Sequence, residues 1–302
     1  MRISSNTFYT STLSGMLDQQ SAISKLSQQI ASGKKLTSAA DDPVAAGKVM
    51  SLNNQIALST QYQANMTTLA NTQQEETTVL NQMQSSLQSV QGALSASNGN
   101  NDATSNTSTA ATLSSLAQQI LDMANYRDSN GNYIFAGTSS TTKPYAYDAT
   151  ATPPQTTFAG NTNTRQVQIG QGITVQANDS LETVMQSGGG SGDLLASLYD
   201  VVNKLQSNTA TQADITAAYS VVTNSLNSLQ TIQVSLAARQ NQVSNQQDTI
   251  KQLLNTSQNA IDNLSQVDQA SAIVELQQRQ VTLQAAQNAF SQTSKLSLFN
   301  YL

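Results

Sequence analysis

The sequence predicts a mainly α fold, a long antiparallel helical coiled-coil bundle formed by both chain ends, with a small β-rich distal domain. Three observations predict it. Apolar residues step alternately by three and four over long stretches of both halves, the spacing of a helical seam. Apart from Pro43, the prolines lie in the middle of the chain, at Pro144, Pro153 and Pro154, where they break any helix. In that middle the periodicity changes to short apolar runs and strict alternation.

The first seam runs through Met66, Leu69, Gln73, Glu76, Leu80, Met83, Leu87, Val90 and Leu94. Asp42 followed by Pro43 reads as an N-cap with proline at the first helical position, and Asn98-Gly99 as the end of a helix of about 55 residues. A second helix is expected from about Ser105 to Arg127, with Leu113, Leu116, Ile120 and Met123 on one stripe. In the C-terminal half the alternation continues from Ile215 through Val222, Leu229, Leu236, Val243 and Ile250 to Leu264. It then slips by two residues before Ile273, Leu276, Leu283 and Phe290, so a domain boundary is placed near residue 270. The expected domains are a terminal coiled-coil assembly domain (1–42 and 271–302), a long-helix core (43–130 and 193–270) and a small β-rich outer domain (131–192).

Within the outer domain, Tyr133, Ile134 and Phe135 form an apolar run, and Val167 and Ile169 pair with Ile173 and Val175 across Gly170-Gln171-Gly172 as a hairpin. Residues Ser187 to Gly192, SGGGSG, read as a flexible joint back to helix.

Composition narrows the function classes. Only 10% of the 302 residues are charged and 38% are hydrophobic, so the surface is polar but uncharged and part of the burial is expected to come from partners. With 13 basic residues, no basic cluster and a net charge of -5, nucleic-acid binding is not expected. No run of about 20 apolar residues is present for membrane insertion, and the first thirty residues hold no apolar stretch of the cleaved-signal type. Cys, His and Trp are absent, which removes the common zinc ligands and most catalytic tools; no enzyme activity, cofactor or metal is expected.

Several local patterns have structural readings. Asp41 and Asp42 are neighbours at a helix start, where capping is favoured over an acid/base pair. Asp128, Asn130 and Asn132 fit the first positions of a calcium loop, but Tyr133 and Ser139 occupy its glycine and glutamate positions, so a turn at Asn130-Gly131 is expected. Gly188 to Gly190 lack a following Gly-Lys-Ser/Thr and read as linker. Arg239 and Arg279 read as solvated helix-face residues. Gln73, Gln233, Gln240 and Gln247 at seam positions either pair by side-chain hydrogen bonds or await completion on assembly, and the second reading is favoured.

Residues 26 to 50, LSQQIASGKKLTSAADDPVAAGKVM, resemble the N-terminal signature of the flagellin family. Residues 262 to 302, DNLSQVDQASAIVELQQRQVTLQAAQNAFSQTSKLSLFNYL, resemble its C-terminal helix, with Gln269 where many members carry tyrosine. The start MRIS, the ending LSLFNYL and the stretches GNYIFAGTSSTTKPY and FAGNTNTRQVQIGQG resemble the hook–filament junction branch more than filament flagellins. The resemblance implies a secreted, extracellular structural adaptor at the junction of flagellar hook and filament, built by ring-like self-assembly and delivered by type III export with a chaperone. Its implied neighbours are further copies of itself, hook-associated protein 1 and flagellin. The expected assembly interface pairs Met16, Ile23, Leu26 and Ile30 with Ile273, Leu276, Leu283 and Phe290, and adds Leu296, Leu298, Phe299, Tyr301 and Leu302 at the end of the chain. The alternatives are a minor filament flagellin, a coiled-coil surface adhesin binding through residues 131 to 187, and an enzyme displayed on the flagellum, which would need a catalytic or metal cluster in that segment.

Overall fold

A computed structural model of the chain describes residues 2–97, 102–151, 155–186 and 193–299. Among them are α1 (Arg2–Ser32), α2 (Pro43–Ser97), α3 (Ala103–Ala124), β1 (Tyr145–Asp148), β2 (Gln155–Phe158), β3 (Gln166–Gly170), β4 (Ile173–Gln176), α4 (Glu182–Met185), α5 (Leu194–Gln206), α6 (Gln212–Ser265) and α7 (Gln269–Phe299). The mainly α fold with a small β-rich part is the one the periodicity predicts. The chain forms two compact units, Met1–Ser59 with Lys251–Leu302, and Thr60–Ile250, the division falling within α2 and α6. The glycines of the Ser187–Gly192 joint and the expected Asn98-Gly99 stop lie outside the described residues.

How can helices with so few charges present a polar surface? Their hydroxyls turn back onto the helix: Thr67, Thr68, Thr72, Thr77 and Thr78 each donate to the carbonyl four residues earlier, at 2.8 to 3.2 Å. Such bonds satisfy the hydroxyl locally and leave burial to a narrow apolar stripe.

In the unit Thr60–Ile250, that stripe is the core. Leu80, Met83, Leu87 and Leu94 of α2 are buried with Leu113 and Ile120 of α3, Leu194, Leu198 and Val202 of α5, and Val222 and Leu229 of α6. α2 and α6 run antiparallel within it, since Gln240 reaches Gln73 and Thr77, Gln233 reaches Asn81 and Gln84, and Gln91 reaches Thr223. Gln233 and Gln240 of the α6 seam therefore pair across the helices inside one chain, rather than awaiting completion on assembly.

The helix expected from Ser105 to Arg127 spans Ala103 to Ala124, capped by the Asp102 carboxylate on the Ser105 amide. A separate α5 precedes α6. The chain turns between them at Asn208, with φ of 52°, and Thr211 and Asp214 restart the helix as a reciprocal cap: the Thr211 amide donates to Asp214 at 2.9 Å and the Asp214 amide to Thr211 at 3.2 Å.

The β part consists of two antiparallel hairpins, β1–β2 and β3–β4. The second pairs Val167 with Val175 and is irregular between Gln168 and Gly170, with Gly172 at φ of 71° in the turn. Tyr145 stacks on Phe158 at 5.0 Å, and its backbone is gripped at both ends by the Asn125 side chain at the end of α3. Asp193 caps α5 through the amides of Leu195 and Ala196 and also accepts the Thr156 hydroxyl at 2.6 Å and the Thr156 amide, tying β2 to that helix. Asp128 accepts from the amides of Asn130 and Asn132 in the turn at Gly131, so the turn's own donors occupy the carboxylate at the first position of the calcium-loop pattern.

Two glycines separate backbone strain from steric fit. Gly131 has φ of 81° and open space around it, whereas at Gly137, φ of 70°, a Cβ would meet the Asn161 carbonyl oxygen at 1.9 Å. We predict that Gly131→Ala lowers unfolding free energy by about 1 to 2 kcal/mol, the cost of a left-handed non-glycine residue, and that Gly137→Ala lowers it by clearly more, as measured by urea denaturation.

Candidate assembly interface

The unit Met1–Ser59 with Lys251–Leu302 is built around two helix breaks that lie side by side. α1 ends at Gly33, φ of 69°, and the chain pairs briefly with the break between α6 and α7: the Lys35 amide donates to the Ser265 carbonyl at 2.6 Å and the Val267 amide to the Gly33 carbonyl at 3.1 Å. Glycine permits the left-handed turn without a Cβ penalty. The end of α1 and the break between α6 and α7 are thus fastened at one point.

Asp41 holds the α1–α2 connection. Its carboxylate accepts from the Thr37 amide and hydroxyl at 3.0 and 2.9 Å and from the Ser38 amide at 2.9 Å, and it pairs with Lys25 of α1 at 2.7 Å. The Lys25 ammonium, then the Thr37 hydroxyl and the loop amides, holds the Asp41 carboxyl well below the usual carboxylate range. Asp42 accepts from the amides of Val44 and Ala45 at 3.1 and 2.9 Å, and Pro43 is the first residue of α2. Asp268 serves α7 likewise, through the Ala270 and Ser271 amides and the Ser271 hydroxyl. The adjacent carboxylates of the Ala-Ala-Asp-Asp-Pro stretch therefore have separate jobs, one closing the loop and the other starting the helix.

Beyond the breaks, α1 and α7 lie antiparallel against each other. Tyr9 packs on Phe290 with ring centroids 5.0 Å apart, and Arg279, paired with Glu275, donates to Gln19 at 3.3 Å. Met16, Ile23, Leu26 and Ile30 of α1 and Leu276, Leu283 and Phe290 of α7 are all half-buried; Ile273 is 44% exposed. The residues expected to form the interface thus share two adjoining helices, and their mutual contact leaves much of them open. Leu296, Leu298 and Phe299 belong to α7, with side chains outside the described residues, and Tyr301 and Leu302 lie outside them altogether.

The structure adds apolar side chains that the seam pattern omits. Phe8, Leu13 and Leu17 of α1, Val274 and Val281 of α7, and Val44, Met50 and Leu58 of α2 are all exposed, Val281 by 70%. The signal is present in the sequence: Val274 and Val281 are seven residues apart, a second stripe offset by one position from Ile273. A groove of about 560 Å³ in the same unit is lined by Leu36, Val49, Met50 and Ile261, together with Lys34 and Asp262.

A carboxyl group held low in the folded state stabilises the fold at pH above its ordinary range, and that contribution is lost as pH falls through the folded value. We predict that Asp41→Asn lowers the melting temperature at neutral pH and that the gap from the parent protein closes on acidification, as followed by circular dichroism; a constant gap contradicts the role given to the carboxylate.

Residues 3–140 match the bacterial flagellin N-terminal helical region. Over 146 residues the chain is 31% identical to flagellar hook-associated protein 3 of Salmonella typhimurium, covering 48% of this chain and 46% of that protein. It is 30% identical over 147 residues to flagellar hook-associated protein 3 of Escherichia coli, again covering 48% and 46%. The chain therefore spans about half the length of the curated relatives it matches. Its fold is that of flagellar hook associated protein-3 from Legionella pneumophila, with a TM-score of 0.63 at 14% identity, covering 72% of this chain and 98% of that chain. Residues 3–140 of this chain are thus similar to the helical N-terminal region of the bacterial flagellins, and the chain is similar to flagellar hook-associated protein 3 in sequence over about half its length and in fold.

Proposed function

We propose that this chain is a structural subunit of the bacterial flagellum that joins the hook to the filament. The observation that carries the reading is the half-open α1–α7 pair, where stripes regular enough to form a coiled-coil seam are only half covered by each other and are flanked by exposed Leu13, Leu17, Val274 and Val281. Apolar surface of this kind is rarely left in water on a finished soluble protein. The similarity to hook-associated protein 3 and the flagellin N-terminal region supplies the setting.

In this reading residues 1–42 and 271–302 form the assembly domain, 43–130 and 193–270 the long-helix core, and 131–192 an outer domain. Copies of the chain associate laterally into a ring through Met16, Ile23, Leu26, Ile30, Ile273, Leu276, Leu283 and Phe290. Hook-associated protein 1 lies on the hook side and flagellin on the filament side. The chain leaves the cell through the flagellar export route, accompanied to it by a chaperone that covers the apolar C-terminal end. Its work is mechanical: burial of apolar stripes converts the end of one tube into a seat for another.

The ending, with Leu296, Leu298, Phe299, Tyr301 and Leu302 within seven residues, is assigned to the same surface. Burial of each such side chain contributes roughly 1.5 to 3 kcal/mol before ordering entropy is subtracted, and a ring repeats the contribution in every subunit. We predict that deleting residues 296–302 leaves the helical signal in circular dichroism nearly unchanged and allows secretion, but that filaments detach into the medium. Normal motility with intact filaments in a strain secreting the shortened chain would refute the assignment.

A further inference from the structure

Two exposed features of the unit Met1–Ser59 with Lys251–Leu302 have matching chemistry. The first is the groove of about 560 Å³ beside the helix breaks, walled by Leu36, Val49, Met50 and Ile261. Met50 stays 67% exposed there. The charged lining is one cation and one anion, Lys34 and Asp262, and neither belongs to an ion pair among the described residues. The Lys34 backbone bridges to Gln266, and the Gln266 amide donates to the Asp262 carbonyl at 2.7 Å. The two charges are therefore anchored one helical turn apart along α6, about 6 Å.

The second feature is the outer face of α7. With Phe290 against Tyr9 and Arg279 reaching Gln19, this helix turns its Leu276–Leu283 stripe toward α1. Val274 and Val281 lie about half a turn round the helix from that stripe, and they are 64% and 70% exposed. Glu275 and Arg279 run along one edge of these valines, four residues apart and so again separated by about 6 Å along the axis. Their own ion pair is exposed, with side chains 49% and 35% accessible, and contributes little. It can be exchanged for pairs across an interface at small cost. The exposed face of α1 offers a poorer match, because the one charged residue from Ile3 to Ser24 is Asp18. Nor can α7 fill the groove of its own chain, since it is one helix from Gln269 to Phe299 held along α1.

We propose that the Val274–Val281 ridge of α7 docks into the groove of a second copy of the chain, with Glu275 beside Lys34 and Arg279 beside Asp262. The inference rests on the proposed association of copies and specifies which surfaces meet. Equal spacing of opposite charges fixes the polarity of the docked helix: turned end for end, it would set Glu275 against Asp262 and Arg279 against Lys34. A groove on one surface and a ridge on another make a heterologous contact, in which each copy gives its ridge to one neighbour and its groove to the next. Contacts of this kind generate rings when the rotation between copies closes.

The test uses two variants of the full chain, Met50→Glu in the groove and Val281→Glu on the ridge, each at an exposed side chain and each checked for parental folding by circular dichroism. In sedimentation velocity at rising concentration, the parent forms oligomers larger than dimers. Each variant alone associates about tenfold more weakly or worse, the equivalent of one buried valine lost. An equal mixture forms dimers and nothing larger, because the ridge of the Met50→Glu chain still fits the groove of the Val281→Glu chain and both remaining surfaces are blocked. A mixture without dimers, or variants that associate like the parent, would overturn the groove-and-ridge contact while leaving the association of copies intact. Weakening by Leu17→Glu with Val281→Glu unaffected would give the groove to α1 and overturn it equally. A parent that stays monomeric at every concentration overturns the association of copies, and this contact with it. Lys34→Glu and Glu275→Lys provide a second measurement should either variant misfold: each weakens association, and the chain carrying both regains it. An unrecovered double variant overturns the pairing.

Discussion

The antiparallel pairing of α2 with α6 is the interaction on which the rest of the unit Thr60–Ile250 depends. Its apolar residues occupy a stripe one side chain wide, and the flanking positions are amides and hydroxyls. Such a stripe by itself specifies register weakly, because a slip of one heptad again places apolar against apolar. The cross-helix contacts remove the ambiguity. Gln240 meets Gln73 and Thr77, Gln233 meets Asn81 and Gln84, and Gln91 meets Thr223, all at one consistent offset. A slipped pairing would leave these amides facing apolar neighbours. With register fixed, α3 and α5 have one place to bury Leu113, Ile120, Leu198 and Val202.

Long-range periodicity makes the helices legible in the sequence. The start of α2 at Pro43 and its length of 55 residues follow from an Asp-Pro cap and an unbroken three-four alternation. The hairpin around Gly172 follows from Val167 and Val175 on matching sides of a glycine turn. Less legible is the break between α5 and α6, since Thr211 and Asp214 restart a helix whose two sides both look helical. Least legible is the buried Asp179–Arg239 ion pair. Arg239 occupies an ordinary polar position of α6 and reads as solvated, and only the folded path of the β4–α4 connection brings Asp179 to it. Local patterns encode which residues face inward; they do not encode which distant charge will meet them there.

The two units manage the same shortage of apolar surface differently. In the unit Thr60–Ile250, several elements converge and the large apolar residues of α2 are fully covered. In the other unit, α1 is fastened to the α6–α7 break around Gly33 and Val267, and beyond it α1 and α7 cover one face of each other. Two helices cannot enclose stripes on more than one face, so Leu17 and Val281 stay open however well the pair itself packs. A chain that gathers most of its large apolar residues into the core of one unit and leaves the stripes of the other half-covered is suited to the proposed role, in which neighbouring subunits cover the second unit.

The proposed cover by neighbouring subunits can be measured at a single position. The chain has no cysteine, so Val281→Cys, at a side chain 70% exposed, would introduce a unique thiol. The rate of its alkylation should be compared between the dilute purified chain and isolated hook–filament complexes that contain it. The account predicts rapid labelling of the dilute chain and strong protection in the complexes. Equal labelling in both states would contradict the claim that neighbouring subunits cover this surface.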